Sequence, residues 1–178
     1  MEKLYLNPHV LVIVTGIAGS GKTTLSTGYD YNEVRTGPGV INHFHMAYID
    51  KDSIADGYTA ERSGEFYEGT VRPTAYRIIY NEARDNLMGG ISVLVNAQHS
   101  TEVQNEGWAD RYRILTEETH SKLKLIRCVA PEELIRQRLE ERGYERDWGK
   151  FKDWGGFVKN HPSEMGGMIS VASLSGGF

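Results

Sequence analysis

Eight consecutive residues, Gly16-Ile17-Ala18-Gly19-Ser20-Gly21-Lys22-Thr23, have the types and spacing to hold a phosphate chain. They fit the pattern G-x-x-x-x-G-K-[ST]. The glycines permit positive φ angles, so the backbone can close around an anion without Cβ clashes. Successive N–H groups then form a nest, and a helix opening behind the loop adds its partial positive charge. Lys22 would reach the β- and γ-phosphates of a nucleoside triphosphate, and the Thr23 hydroxyl would ligand Mg²⁺. The expected nucleotide-binding set is Gly16, Ile17, Ala18, Gly19, Ser20, Gly21, Lys22, Thr23 and Thr24, with ATP as the cofactor.

A donor grip is half of a transfer site. Moving a phosphoryl group to a hydroxyl also needs a carboxylate to accept or orient the attacking O–H. Asp50 and Asp52 follow the apolar run Met46-Ala47-Tyr48-Ile49. Two residues apart in extended backbone they would point the same way. Asp52 is the expected base or hydroxyl orienter, and Asp50 would hold Mg²⁺ through water or hold the acceptor. A capped turn is the competing reading. Transfer also spreads negative charge, which arginine can neutralise. Arg138 and Arg142 share a helix face at i and i+4, so one of them is expected on phosphate. Arg136 and Arg146 lie nearby, interleaved with Glu132, Glu133, Glu140 and Glu141, which could pair with them as a solvated face.

These groups need elements to position them. Val10 to Thr15 is apolar on both faces, as a central parallel strand should be. A helix of about three turns should open at Lys22 and stop before Gly37-Pro38-Gly39. Strands are expected at Met46–Ile49, Ile91–Val95 and Lys122–Val129, with a short fifth at Met168–Ala172. Between them, Pro73 starts one helix, with Tyr76, Ile79, Tyr80, Ala83 and Leu87 inward and Gly89-Gly90 as its stop. Thr101-x-x-Gln104 is a capping box for a second, burying Val103, Trp108, Tyr112 and Leu115. Pro131 starts a third, ended by Gly143. Alternating strands and helices imply right-handed crossovers in a single α/β domain over residues 1–178.

Other features narrow the class. The formal net charge is −4, so no global basic field favours nucleic acid. No apolar run approaches a membrane span, the N-terminus lacks a signal-peptide core, and the single Cys128 excludes an intrachain disulfide. A cytoplasmic protein is expected, with Cys128 as a core thiol. His43 and His45 lack further ligands for a metal. Asn96 ends the third strand where an acidic residue usually holds the metal hydration shell, with Gln98 and His99 close behind to orient substrate or water. Asp147–Trp154 can pack on adenine or substrate, or form a peripheral aromatic cluster. Leu174–Phe178 reads as a tail.

Taken in order, the Gly16–Thr24 loop, Asp50-Lys51-Asp52, Gly90–Ala97, and Ala130-Pro131-Glu132-Glu133-Leu134 with Arg138 and Arg142 resemble one family. It is the group of P-loop kinases that includes polynucleotide kinase, zeta toxin and chloramphenicol phosphotransferase. The resemblance spans roughly Val10 to His161. It implies a three-layer P-loop NTPase fold with a parallel five-stranded sheet in the order 2-3-1-4-5, flanked by helices, and a short lid at about 136–160. It carries the activating carboxylate onto Asp52 and the lid arginine onto Arg142, with Arg138 next. Two positions depart from the pattern: Asn96 replaces an aspartate, and Ala55 stands where phage-type polynucleotide kinases place an arginine.

The expected activity is transfer of the γ-phosphate of ATP, with Mg²⁺, to a hydroxyl of a small-molecule acceptor. Lys22, Asp52, Arg138 and Arg142 are the expected catalytic residues, and Thr23 and Asp50 the metal-binding ones. The segment Ile54–Arg77, with Arg62, Tyr67, Arg72 and Tyr76, would help to form the acceptor pocket. A polynucleotide or nucleotide 5′-hydroxyl kinase is one alternative. A nucleotide-binding regulatory module with weak catalysis, signalled by Asn96, is another.

Overall fold

Leu11 and Ile13 face one core and Val12 and Val14 face another, all four buried, so the strand that enters the glycine loop has no solvent side. This computed structural model describes residues 2–30, 33–59, 64–99, 106–161 and 170–173. In it, β1 (Val10–Thr15) lies between β3 (Ser92–Asn96) and β4 (Lys122–Arg127), and β2 (Met46–Asp50) lies beyond β3. All of these pairs are parallel.

The fifth strand corrects the expectation. The order β2-β3-β1-β4-β5 is the one anticipated, but β5 (Ser170–Ser173) runs antiparallel to β4. The parallel sheet therefore has four strands, β2-β3-β1-β4, and an antiparallel edge. A parallel neighbour would need a crossover returning the chain to the amino edge of β4. Here the helices after β4 pack on Ile17 and Ala130 at the carboxyl edge, so the chain re-enters the sheet from the edge it left. Met168 and Ile169, also expected in this strand, lie outside the described residues.

Helices α4 (Arg72–Met88) and α5 (Glu106–Glu118) cover one face of the sheet, with Ile79, Ala83, Leu87, Tyr112 and Leu115 packed on Leu11, Ile13, Val93 and Val95. The expected capping residues Thr101 and Gln104, and Val103, lie outside the described residues. The other face is covered by α1 (Lys22–Thr27) and α2 (Val40–His43), which add Leu25, Val40 and Ile41 to Val12, Val14, Leu94 and buried Cys128.

α1 is shorter than expected. It stops at Gly28, whose φ is +81° and where a Cβ would lie 2.1 Å from the Gly37 carbonyl oxygen. The Gly37-Pro38-Gly39 turn folds back onto this point and ends the helix. α3 (Lys51–Asp56) follows β2 without a break, and a π-helical turn, Tyr67–Val71, leads into α4. After β4 come α6 (Glu132–Arg142), a 3₁₀ turn at Glu145–Asp147, α7 (Trp148–Lys152) and α8 (Trp154–Asn160).

Phe151, Trp154 and Phe157 pack on the cluster of Ile17, Ala130, Ile135 and Leu139, and the Trp154 Nε1–H donates to Glu132 Oε1 at 2.7 Å. Of the two readings of this aromatic segment, these contacts make its inner side a packed cluster behind the loop. Among the described residues no helix is long and apolar enough to cross a membrane.

Candidate functional site

The loop from Gly16 to Thr23 leaves β1 at the carboxyl edge of the sheet, where ligands gather in open α/β folds. Its first glycine is required sterically. At φ +140°, a Cβ on Gly16 would sit 2.3 Å from the Cys128 carbonyl oxygen and 2.7 Å from Ser20 Oγ. Ile17 is fully buried against α6, Ala18 packs beside it, and Gly21 (φ 93°) caps α1. Ser20 is buried, and its hydroxyl has no hydrogen-bond partner among the described residues. Lys22 Nζ donates to the Ile17 carbonyl at 3.0 Å, so its ammonium is parked inside its own loop. Burial pulls this ammonium below the usual lysine range; Asp52 and Asp50 oppose the shift, and Arg142 adds to it. Thr24 continues α1 and accepts the Gly28 N–H.

Asp50 and Asp52 do not share the face of an extended strand, because β2 ends at Asp50 and α3 begins at Lys51. Asp50 is the helix cap: its Oδ1 accepts the Asp52 N–H at 2.7 Å and the Ser53 N–H at 3.1 Å. A short acidic side chain at this position satisfies orphan N–H groups and stabilises the helix start by about 1 kcal/mol. The capping reading is thus right for one oxygen. The other oxygen, Oδ2, accepts from Asn96 Nδ2 at 2.7 Å and from the Tyr48 hydroxyl at 2.9 Å.

Asn96 is the junction of the site. Pairing in the sheet sets it beside Val14 on one strand and Asp50 on the other. Its Nδ2 also lies 3.2 Å from Thr23 Oγ1 and 3.0 Å from the Tyr48 hydroxyl. One amide therefore ties the phosphate loop to the acidic end of β2. The charge that Asn96 lacks stands next to it, on Asp50. Asn96 Oδ1 is buried with no partner among the described residues. An orphaned acceptor beside the Thr23 hydroxyl and the Asp50 carboxylate is a donor set suited to Mg²⁺ and its bound water.

Asp52 occupies the first turn of α3, exposed, with Oδ1 3.1 Å from Lys51 Nζ. Desolvation alone would raise this carboxyl. The charge and hydrogen bond of Lys51, with Arg146 and Lys22 further off, outweigh it and hold the group below the ordinary carboxylate value. Lys51 was missed by sequence reasoning. It is buried, donates to the Tyr67 hydroxyl at 2.6 Å, and lies 5.3 Å from the centre of that ring. Its spacing between two aspartates gave no sign of a partner on the π-helical turn. Of the other expected pocket residues, Arg72 pairs with Glu68 at 3.0 Å, Tyr76 donates to the Gln98 carbonyl, and Arg62 lies outside the described residues.

The arginines separate by role. Arg136 pairs with Glu140 on the exposed face of α6, the solvated arrangement. Arg138 Nη1 donates to the Gly19 carbonyl at 3.0 Å and so touches the phosphate loop. Arg142 instead turns to Asp147, with Nη2 2.6 Å from Oδ2. Lys150 holds the other oxygen of that carboxylate, which is 1% exposed. Arg142 is nonetheless close enough for its charge to act on Lys22, as Arg146 acts on Asp52.

His99, just beyond β3, is fully buried, and its backbone N–H donates to Thr15 Oγ1 at 3.0 Å. Burial, reinforced by the charges of Lys51, Arg72 and Lys22, drops its imidazole from 6.5 to about 3. A lowered histidine value means that the unfolded chain binds the proton more readily. The stabilisation is therefore complete above pH 6.5 and fades as pH falls from there toward 3. At about 1.4 kcal/mol per pH unit, roughly 2 kcal/mol should be gone by about pH 5. Denaturant unfolding at neutral and acid pH should show this loss in the native chain and not in His99→Phe.

A family model of AAA domains, AAA_33, matches residues 11–153. No curated protein matches the chain. Among solved structures, a candidate kinase from Chloroflexus aurantiacus J-10-fl is similar at 24% identity and TM-score 0.58, covering 75% of this chain and 66% of its own. A sugar kinase from Janibacter sp. HTCC2649, solved without ligand, is similar at 19% identity and TM-score 0.50, with 75% of this chain and 68% of its own covered. The chain thus spans about two-thirds of the length of these two structures. Likeness at such identity speaks for the fold alone, an α/β fold with a parallel sheet flanked by helices. With most of its length matched by one family model, the chain belongs to the AAA_33 family of AAA domains.

Proposed function

We propose that this protein is an ATP- and Mg²⁺-dependent kinase that transfers the γ-phosphate of ATP to a hydroxyl of a small-molecule acceptor. The observation that carries the reading is the chain of contacts Thr23–Asn96–Asp50–Asp52, which joins the loop to the expected base through hydrogen bonds of 3.2, 2.7 and 2.7 Å. The names of the two similar structures, one of them a sugar kinase, agree with it. So does the finer resemblance to chloramphenicol phosphotransferase and its relatives.

In this scheme the loop amides and Lys22 grip the β- and γ-phosphates, and Lys22 leaves the Ile17 carbonyl to do so. Asp52, kept ionised by Lys51, accepts a hydrogen bond from the acceptor hydroxyl and orients its oxygen in line with the γ-phosphorus. Mg²⁺, when bound, would supply charge neutralisation at the β- and γ-phosphates. Thr23 would hold it directly, and Asp50 with Asn96 Oδ1 would hold its waters. Arg138, already on the loop, would neutralise charge first; Arg142 would reach phosphate after leaving Asp147.

Two details favour a small acceptor over a nucleic-acid end. Ala55, where an arginine would serve an oligonucleotide, is completely buried against Tyr67, Val71 and Ala75. The net charge is also negative. The test is ADP release with ATP and Mg²⁺, alone and with a panel of metabolites and 5′-hydroxyl oligonucleotides. Stimulation by a metabolite is expected. Labelling of the oligonucleotides would assign the end-kinase activity instead, and tight ATP binding with no turnover would assign the regulatory module.

The metal assignment has its own test. Asn is as good a helix cap as Asp, so Asp50→Asn preserves the start of α3 while removing the charge. Outer-sphere partners are worth about 10–100-fold in metal affinity. Mn²⁺ binding to the ATP complex, followed by electron paramagnetic resonance, should weaken by about tenfold in Asp50→Asn.

A further inference from the structure

The kinase reading leaves one group of buried polar atoms unused. Both ring nitrogens of His99 and the indole nitrogen of Trp108 are shielded from solvent and have no hydrogen-bond partner among the described residues. The two rings lie 4.9 Å apart, centre to centre. Tyr76 flanks His99 at 5.0 Å, and Tyr112 flanks Trp108 at 5.0 Å. An apolar ring in place of His99 would fill the same space without orphaned nitrogens, so a buried, unpaired imidazole is costly to keep as packing alone.

Its position suggests what it is kept for. His99 stands three residues beyond Asn96 on the same strand end, and its N–H is held by Thr15, the residue before the phosphate loop. Tyr76 bonds the Gln98 carbonyl, which ties this turn to α4. The charges that act on the ring are those of Lys51, Arg72 and Lys22. Lys51 is the residue that holds Asp52. His99 therefore stands at the carboxyl edge of the sheet, tied to the residue before the phosphate loop on one side and to α4 on the other.

We propose that His99 and Trp108 recognise the acceptor itself, and that the acceptor is an uncharged compound with neighbouring hydroxyl groups. This rests on the kinase reading of the site. A neutral imidazole offers one donor and one acceptor, and the indole adds a second donor. Hydroxyls both give and take hydrogen bonds, so a vicinal pair can satisfy all three nitrogens. A carboxylate takes only, and would leave the accepting imidazole nitrogen unpaired. An ammonium would face Lys51, Arg72 and Lys22. The shared chemistry is that of a free sugar or the ribose of a nucleoside.

The experiment uses the full chain with a non-hydrolysable ATP analogue and follows the Trp108 indole N–H and the His99 ring nitrogens by ¹⁵N NMR. The probes are D-ribose, adenosine and inorganic phosphate. A response of both side chains to ribose assigns a free sugar, and a response to adenosine alone assigns a nucleoside. Affinity for the responding probe should fall at least tenfold in His99→Phe. It should stay within a few-fold in His99→Asn, which keeps one donor and one acceptor. If His99→Phe does not fold, Trp108→Phe takes its place, with a smaller expected loss. A response to phosphate only, silence of both side chains to all three probes, or unchanged affinity in the variants overturns the proposal. Probe binding without phosphoryl transfer would defeat the kinase reading and leave this subsite standing. Turnover on an acceptor that moves neither His99 nor Trp108 would do the reverse.

Discussion

Asp52→Asn is expected to reduce acceptor-stimulated ADP release by about 10²–10⁴-fold, the range typical of a positioned acid–base group. Nucleotide affinity should stay within a few-fold of the native value. The substitution is nearly isosteric and leaves the backbone N–H that binds Asp50 Oδ1 untouched, so the start of α3 survives. What it removes is a carboxylate held ionised by Lys51. The side chain is exposed, so little packing is lost, but buried Lys51 loses its countercharge, and the fold should weaken by about 1–3 kcal/mol. ADP release across a range of acceptor concentrations, with ATP-analogue binding by calorimetry, separates the two effects. Native turnover in Asp52→Asn would remove Asp52 from the reaction.

Lys22→Met is the second large effect, and it has the opposite profile. Nucleotide binding itself should weaken by about 10–100-fold, because a hydrogen bond to a charged group contributes about 1.5–3 kcal/mol. Transfer should fall further, since Lys22 also meets the charge that develops between the β- and γ-phosphates. The empty protein should be no less stable. Lys22 is held in its own loop by one bond to the Ile17 carbonyl and is destabilised there by loss of hydration. Thermal unfolding shows the contrast. ATP at 100 times its dissociation constant stabilises the native chain by about 2.7 kcal/mol, and the variant at the same ATP concentration should gain only about 0.4–1.4 kcal/mol. Equal stabilisation of both by ATP would place the nucleotide elsewhere.

The two variants differ because their parts differ in how far they reach along the chain. The phosphate loop is local. Its glycines, its lysine and the strand that enters it lie within a short stretch, and the conformations it needs follow from residue type. Gly16 shows this most directly, since a side chain there would collide with the backbone of Cys128. The alternation of Leu11 and Ile13 against Val12 and Val14, and the inward faces of α4 and α5, were likewise readable from period alone.

Less was readable where partners come from distant strands. Asn96 looked like a lost charge until the register of β2 and β3 set Asp50 beside it. Asp50 and Asp52 looked like a pair on one strand face, because capping strength does not announce where extended backbone ends. Arg138 and Arg142 lie on one helix face, yet one meets the Gly19 carbonyl and the other a buried aspartate.

The amino-acid sequence by itself determined the phosphate loop, the strand behind it and the alternation of strands and helices, because each depends on residues within a few positions of one another. Only the tertiary structure decided the direction of β5, the partners of Asn96 and Lys51, and the burial of His99 among aromatic rings. Those depend on which elements become neighbours, and that is settled by the packing of a whole sheet and its two cores rather than by local preference.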